Sequence, residues 1–184
     1  MKRRFMFLLT LLASTWIGAE TSERPAFNKL GREAQALAQS WLNKNCGAAE
    51  QGAFEKKLIE TGVVLEPVFW EAFRLGPTEQ ELKDYGAAIA KRSGDRQNWL
   101  RQFGDTQMGK EETARQLAIS EKQYADREIT QYKERYKTTA LAGLGLIGTQ
   151  QSEADLKLIA NDDRNRAQTA AQEALKAIRR QRER

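Results

Sequence analysis

The sequence predicts an all-α protein, and three observations carry that prediction. Apolar residues recur at three- and four-residue steps along most of the chain. Two capping boxes, Thr78-Glu79-Gln80-Glu81 and Ser120-Glu121-Lys122-Gln123, each open a long periodic stretch. The one β-like run, Val63-Val64-Leu65, is three residues long, shorter than the usual strand of about 5–6.

The chain begins with Lys2, Arg3 and Arg4, followed by an apolar run from Phe5 to Ala19. Positive charge, an apolar stretch of about 15 residues and small residues at its end follow the order of a secretory signal peptide. The run falls short of the roughly 20 residues that a membrane-crossing helix needs. Cleavage after Ile17-Gly18-Ala19 is expected to leave one domain, residues 20–184, exported to the periplasm of a bacterial envelope or secreted.

Each helix has its own signals. Pro25 suits the first turn of a helix with the stripe Phe27, Leu30, Ala34, Leu37, Ala38, Trp41 and Leu42, and Asn45 to Gly47 stops it. Phe54, Leu58 and Ile59 mark a shorter helix ending near Gly62. Pro67 opens the next, with Val68, Phe69, Trp70 and Phe73, closed by Gly76-Pro77. In the first capping box the Thr78 hydroxyl satisfies a free N–H while Glu81 reaches back. The helix it starts is expected to turn Leu82, Tyr85, Ile89, the stem of Arg92, Trp99 or Leu100, and Phe103 inward. Gly104 to Gly109 reads as a loop, and a modest helix covers Glu111 to Ile119. After the second box, Tyr124, Glu128 or Ile129, Tyr132, Tyr136, Ala140, Leu144 and Ile147 keep helical register up to a turn at Gly148 to Gln151. Ser152 with Asp155 is expected to cap a short helix holding Leu156 and Ile159. Asn161-Asp162-Asp163 turns the chain, and Ala167, Ala170, Ala171, Ala174, Leu175 and Ile178 line the last helix. A fully buried Leu or Ile gains about 1.5–3 kcal/mol. No single stripe can be buried alone, so the helices must stack.

Charge is placed unevenly. The whole chain carries +5, and +2 once Lys2, Arg3 and Arg4 are set aside. From Arg164 to Arg184 seven Lys/Arg face only Glu173 and Glu183, a local +5, whereas residues 20–163 hold 20 basic and 23 acidic side chains, a net of −3. The body is therefore not a basic face of the kind that nucleic acid requires. The sequence contains no histidine, which excludes a Ser-His-Asp triad, a Cys-His pair and an imidazole metal site. Cys46 is the sole cysteine, so neither an internal disulfide nor a thiolate cluster can form. It reads as a small apolar residue at a helix end, with an intermolecular disulfide as the alternative.

The chain nearly repeats at an offset of 31. Arg135 pairs with Arg166, Thr138 with Thr169, Ala140 with Ala171, Leu144 with Leu175 and Ile147 with Ile178. Self-similarity at this period is the mark of stacked helical hairpins. Leu144-Gly145-Leu146-Ile147-Gly148 and the alanine-rich segment Ala170 to Ile178 resemble a HEAT-like repeat of the short, PBS-lyase type. Ser152 to Ala160 is similar to that family's next first helix, and Asp162-Asp163 stands at its acidic turn. The resemblance covers about residues 135–179. It implies a short α-solenoid that binds protein partners. No catalytic or chromophore-handling residue of the family has a counterpart here.

Other motifs have plainer explanations. Gly143 to Gly148 fits G-x-G-x-x-G, but a dinucleotide site needs a strand before the glycines, and Gln131 to Lys137 is helically periodic. Small residues that let helices approach explain it instead. Asn161 to Asn165 lacks the glycine and glutamate of a calcium loop. Glu66, Glu71, Glu111 and Glu112 read as polar helix faces, although paired carboxylates are the remaining route to a hydrolase. Neither a cofactor nor a metal is implied. The expected function is a protein-interaction or scaffold module, with Tyr132, Arg135 and Tyr136 as partner contacts in a groove between hairpins. Attachment to a membrane surface through Arg179, Arg180, Arg182 and Arg184 is the alternative; those arginines also simply oppose a helix dipole.

Overall fold

The computed structural model describes residues 24–43 and 51–183; the N-terminal apolar run, the expected cleavage point and Cys46 lie outside the described residues. Among the described residues every regular element is helical, which establishes the all-α class. None of these helices is long and apolar enough to cross a membrane.

The first stripe is split. Pro25–Asn28 forms a single turn, α1, and Arg32–Leu42 forms α2, because extended backbone at Gly31 ends one and starts the other. Two free N–H groups of α1, at Ala26 and Phe27, donate to the Glu71 carboxylate at 2.9 and 3.1 Å. Gln51–Thr61 is α3. The β-like run becomes a 3₁₀ turn, Gly62–Leu65, entered at φ +63° by Gly62. It buries Leu65 and leaves Val63 and Val64 in solvent. Glu66–Leu75, α4, ends at Gly76, whose φ of +77° suits a residue without a side chain.

Both capping boxes form. Thr78 starts Glu79–Trp99, α5, and Ser120 starts Glu121–Ile147, α8. The end of α5 departs from the expected stripe. A π turn over Leu100–Gly104 widens the spiral, so Leu100 is buried while Trp99 and Phe103 are 43% and 50% exposed. Phe103 therefore does not point inward. The expected loop is instead helical as far as Asp105–Met108, α6, and the chain breaks only at Gly109 before Lys110–Leu117, α7. Gly104 permits this tight return, since a β-carbon there would lie 2.7 Å from Thr113 Cγ2.

Gln150–Ala160 is α9 and Gln168–Arg182 is α10. The cap of α9 is Thr149, which accepts from Ser152 N–H, and not Ser152. Ser152 is fully buried; its hydroxyl donates to Glu66 and accepts from Trp70 Nε1. Glu66 and Glu71 thus tie helices together instead of decorating polar faces. At the other end Arg182 reaches Glu153 at 2.6 Å, joining α10 to α9. Hydrogen bonds from Lys157 and Arg182 hold the Glu153 carboxyl below its usual range.

Helix α8 is the centre. It packs against α2, α3, α4, α5, α9 and α10. Two glycines make this possible. A β-carbon on Gly143 would lie 2.6 Å from the Phe69 ring of α4, and one on Gly145 would lie 2.8 Å from Ala174 Cα of α10. At 3.6 residues per turn the two positions are roughly 200° apart, so α4 and α10 close on opposite sides of α8. The small residues read from the sequence are where helices meet, and no strand precedes them.

Gly145→Ala is expected to destabilise the protein by about 1–3 kcal/mol in urea unfolding, because the Ala174 backbone must move. Gly94→Ala, in open space on α5, should instead stabilise by about 0.5–1 kcal/mol. Equal effects of the two substitutions would contradict the close packing of α8 against α10.

Candidate functional site

Two features flank α8: a buried polar cluster and, beside it, an open cleft. The cluster is built on the first capping box. Glu81 accepts from Thr78 N–H at 2.7 Å, as a capping glutamate does, and also from Asn43 Nδ2 at 3.3 Å and the Tyr136 hydroxyl at 3.2 Å. Arg24, only 6% exposed, donates to the Tyr136 hydroxyl at 3.0 Å and to the Gly76 carbonyl, and lies 4.0 Å from Glu81. Tyr132 donates to Asn43 Oδ1 at 2.6 Å and stacks on Tyr85 with ring centres 4.1 Å apart. Arg135 lies over the rings of both Tyr85 and Tyr132. Burial pushes the Tyr132 hydroxyl up to about 12, reinforced by the charge of Glu81. The same desolvation raises Tyr136 further, against the opposing charge of Arg24.

The tyrosines expected to meet a partner are therefore interior. Tyr132 and Tyr136 are 4% and 1% exposed and spend their hydroxyls on the chain's own Asn43 and Glu81. Arg135 is exposed, but it covers the two rings and does not line the cleft beside them. Their helical spacing makes them core first, and the polar atoms of Glu81, Asn43 and Arg24 satisfy them there.

The cleft lies where α4 turns into α5, across α8 from the start of α10. It encloses about 530 Å³. Its walls are Phe73, Leu75, Pro77 and Leu82 on one side, and Ala167 at the head of α10. From α8 come Thr130, Lys133, Glu134, Lys137 and Thr138, a spacing of three and four that forms one helix face. Arg166 closes the rim and pairs with Glu134 at 3.1 Å. The Lys137 stem lies over Gly76, where a β-carbon would sit 3.4 Å from Lys137 Cε. An apolar floor with amines and hydroxyls at its edge can hold an amphipathic ligand.

No family model, curated protein or solved structure matches the chain. Among the described residues no group of three or more Asp, Glu, His or Cys is placed to hold a metal ion. Glu111 and Glu112 are engaged by Arg115, and Glu66 and Glu71 are tied within the fold. The cleft-facing stripe on α8 is present in the sequence as polar residues at helical spacing. Sequence alone gives no sign that Phe73, Leu82 and Ala167 come to lie opposite it.

Tyr136→Phe removes one buried hydrogen-bond partner each from Arg24 and Glu81, which keep the Gly76 carbonyl and Thr78 respectively, and should cost about 1–3 kcal/mol. Both tyrosine hydroxyls keep their protons at a pH where an unfolded tyrosine, near 10, has lost its own. The stability they add is complete below about pH 10 and is lost as pH rises towards the folded value. A phenolate absorbance titration should leave at least two of the four tyrosines protonated at about pH 11. All four ionising together near pH 10 would contradict the buried cluster.

Proposed function

We propose that this chain is an exported, helical-repeat interaction module that holds a partner protein in the cleft between α5, α8 and the head of α10. The observation that carries this is a half-open apolar cleft of about 530 Å³ whose rim is polar and basic. That composition suits recognition of a side chain and its charged neighbours.

The offset of 31 supports the HEAT-like, PBS-lyase-type solenoid reading. It superposes the second half of α8 on α10, and α9 packs against both. In that arrangement α8 and α10 are successive second helices, and the cleft is the edge at which α8 runs past the reach of α10. The module acts by presentation, without chemistry of its own. Export places it in the bacterial envelope or outside the cell, as the charged, apolar, small-residue order of the first nineteen residues suggests. Membrane attachment through the basic end of α10 is the weaker alternative, since Arg182 is held by Glu153.

The test is site-directed photo-crosslinking in envelope fractions. A benzophenone amino acid replacing Thr130, in the cleft, should give a discrete protein adduct; the same probe replacing Lys56, exposed on α3, should not. No adduct from Thr130, or the same adducts from both positions, would reject the module. N-terminal sequencing of the exported protein should begin at Glu20; a retained Met1 in the envelope fraction would reject the processed form.

A further inference from the structure

We infer that the occupant of the cleft is an acidic peptide segment carrying one large apolar side chain, an inference that rests on the interaction-module reading above. The face of α8 that lines the cleft carries two lysines, Lys133 and Lys137. Some lysines on the helical surface are paired with acids one turn away, such as Lys122 with Asp126, Lys157 with Glu153 and Lys176 with Glu173. Lys133 and Lys137, which line the cleft, are not. They stand four residues apart with like charge, an arrangement that destabilises a helix, and among the described residues no carboxylate lies within ion-pair distance of either. Both ammonium charges therefore stand unmatched by an ion pair on the face of α8 that lines the cleft.

The neighbouring groups add to the same potential. Glu134 is the cleft's one carboxylate, and Arg166 already pairs with it. α10 begins at the cleft, and its first turn holds no acidic residue, whereas α5, α7, α8 and α9 each carry one or more there. The positive end of its dipole thus carries no carboxylate, only the Asn165 side chain, whose Oδ1 accepts from Ala167 N–H at 2.9 Å. This basic spot sits in a body that is otherwise net negative over residues 20–163.

Shape supplies the second half of the recognition. Phe73, Leu82 and Ala167 offer an apolar floor, and Leu75 at the mouth is half exposed. Buried carboxylates would be costly on that floor, whereas an apolar side chain gains by entering it. The carboxylates then belong at the rim, one turn of α8 apart, beside Lys133 and Lys137. The interaction is expected to weaken with salt, because the amines are near the surface.

The probe is an acetylated, amidated nonapeptide with a central leucine flanked on each side by two aspartates. It is titrated into the ¹⁵N-labelled processed chain, with amide shifts as the readout. Shifts should cluster on residues 130–138 and 165–167, weaken about tenfold or more in Lys133→Glu/Lys137→Glu, and fade between low and about 0.5 M salt. The milder pair Lys133→Gln/Lys137→Gln, checked for unchanged helix content, should weaken binding in the same direction. Replacing the peptide's leucine with serine, or its aspartates with lysines, should abolish the cleft shifts. The inference is overturned by an absence of cleft shifts at about 1 mM peptide. It also falls if the serine peptide binds equally well, or if affinity is unchanged in both lysine variants. An adduct from the Thr130 crosslinker with no peptide binding would leave the module standing and remove only the acidic occupant.

Discussion

Two missing side chains on one helix organise this molecule. At Gly143 and Gly145 helix α8 offers bare backbone on nearly opposite sides, to the Phe69 ring of α4 and to the Ala174 backbone of α10. Close-packed interiors tolerate no overlap of even a methylene without cost, so these contacts set how near the three helices lie. The surrounding core then fills in. Phe69, Leu141, Leu144, Leu156 and Ile178 are all buried to within 1% of complete. The remaining helices dock on this clasp through polar ties at chosen points, chiefly Glu66 to Thr149 and Ser152, and Glu71 to the start of α1.

The same spine distributes polarity. One row of α8 carries Tyr132 and Tyr136 into the cluster around Glu81, where a capping glutamate also joins α2, α8 and the segment holding Arg24. Another row carries Lys133 and Lys137 and continues, four residues at a time, to Leu141 and Gly145. Further along, α10 covers that row; nearer the start of α8 it stays open, and the cleft occupies the gap. Packing surface and open cleft are successive stretches of one helix face. Their difference comes from where α10 begins, after the Asn161 to Ala167 turn.

Much of the fold was legible because its signals are local. Periodicity and two reciprocal caps locate α5 and α8, and Gly76 and Gly148 end their helices at positive φ. What failed was register and context. A π turn cannot be read from a 3.6-residue stripe, which points Phe103 inward; the turn leaves Phe103 half exposed and, of Trp99 and Leu100, buries Leu100. Val63 and Val64 have β propensity, but the positive φ of Gly62 and the start of α4 wind them into a 3₁₀ turn. The Tyr132–Arg135–Tyr136 patch resembles a ligand surface until Asn43 and Glu81, distant in sequence, appear against its hydroxyls. The cleft was illegible for the matching reason, since its floor is assembled from three separated segments.

The central claim is that α4 and α10 clasp α8 through its glycines, and proton–proton distances in solution measure this directly. Nuclear Overhauser contacts are expected from the Gly143 α-protons to the Phe69 ring and from the Gly145 α-protons to the Ala174 methyl. A folded, fully helical protein in which both contacts are absent would contradict the account.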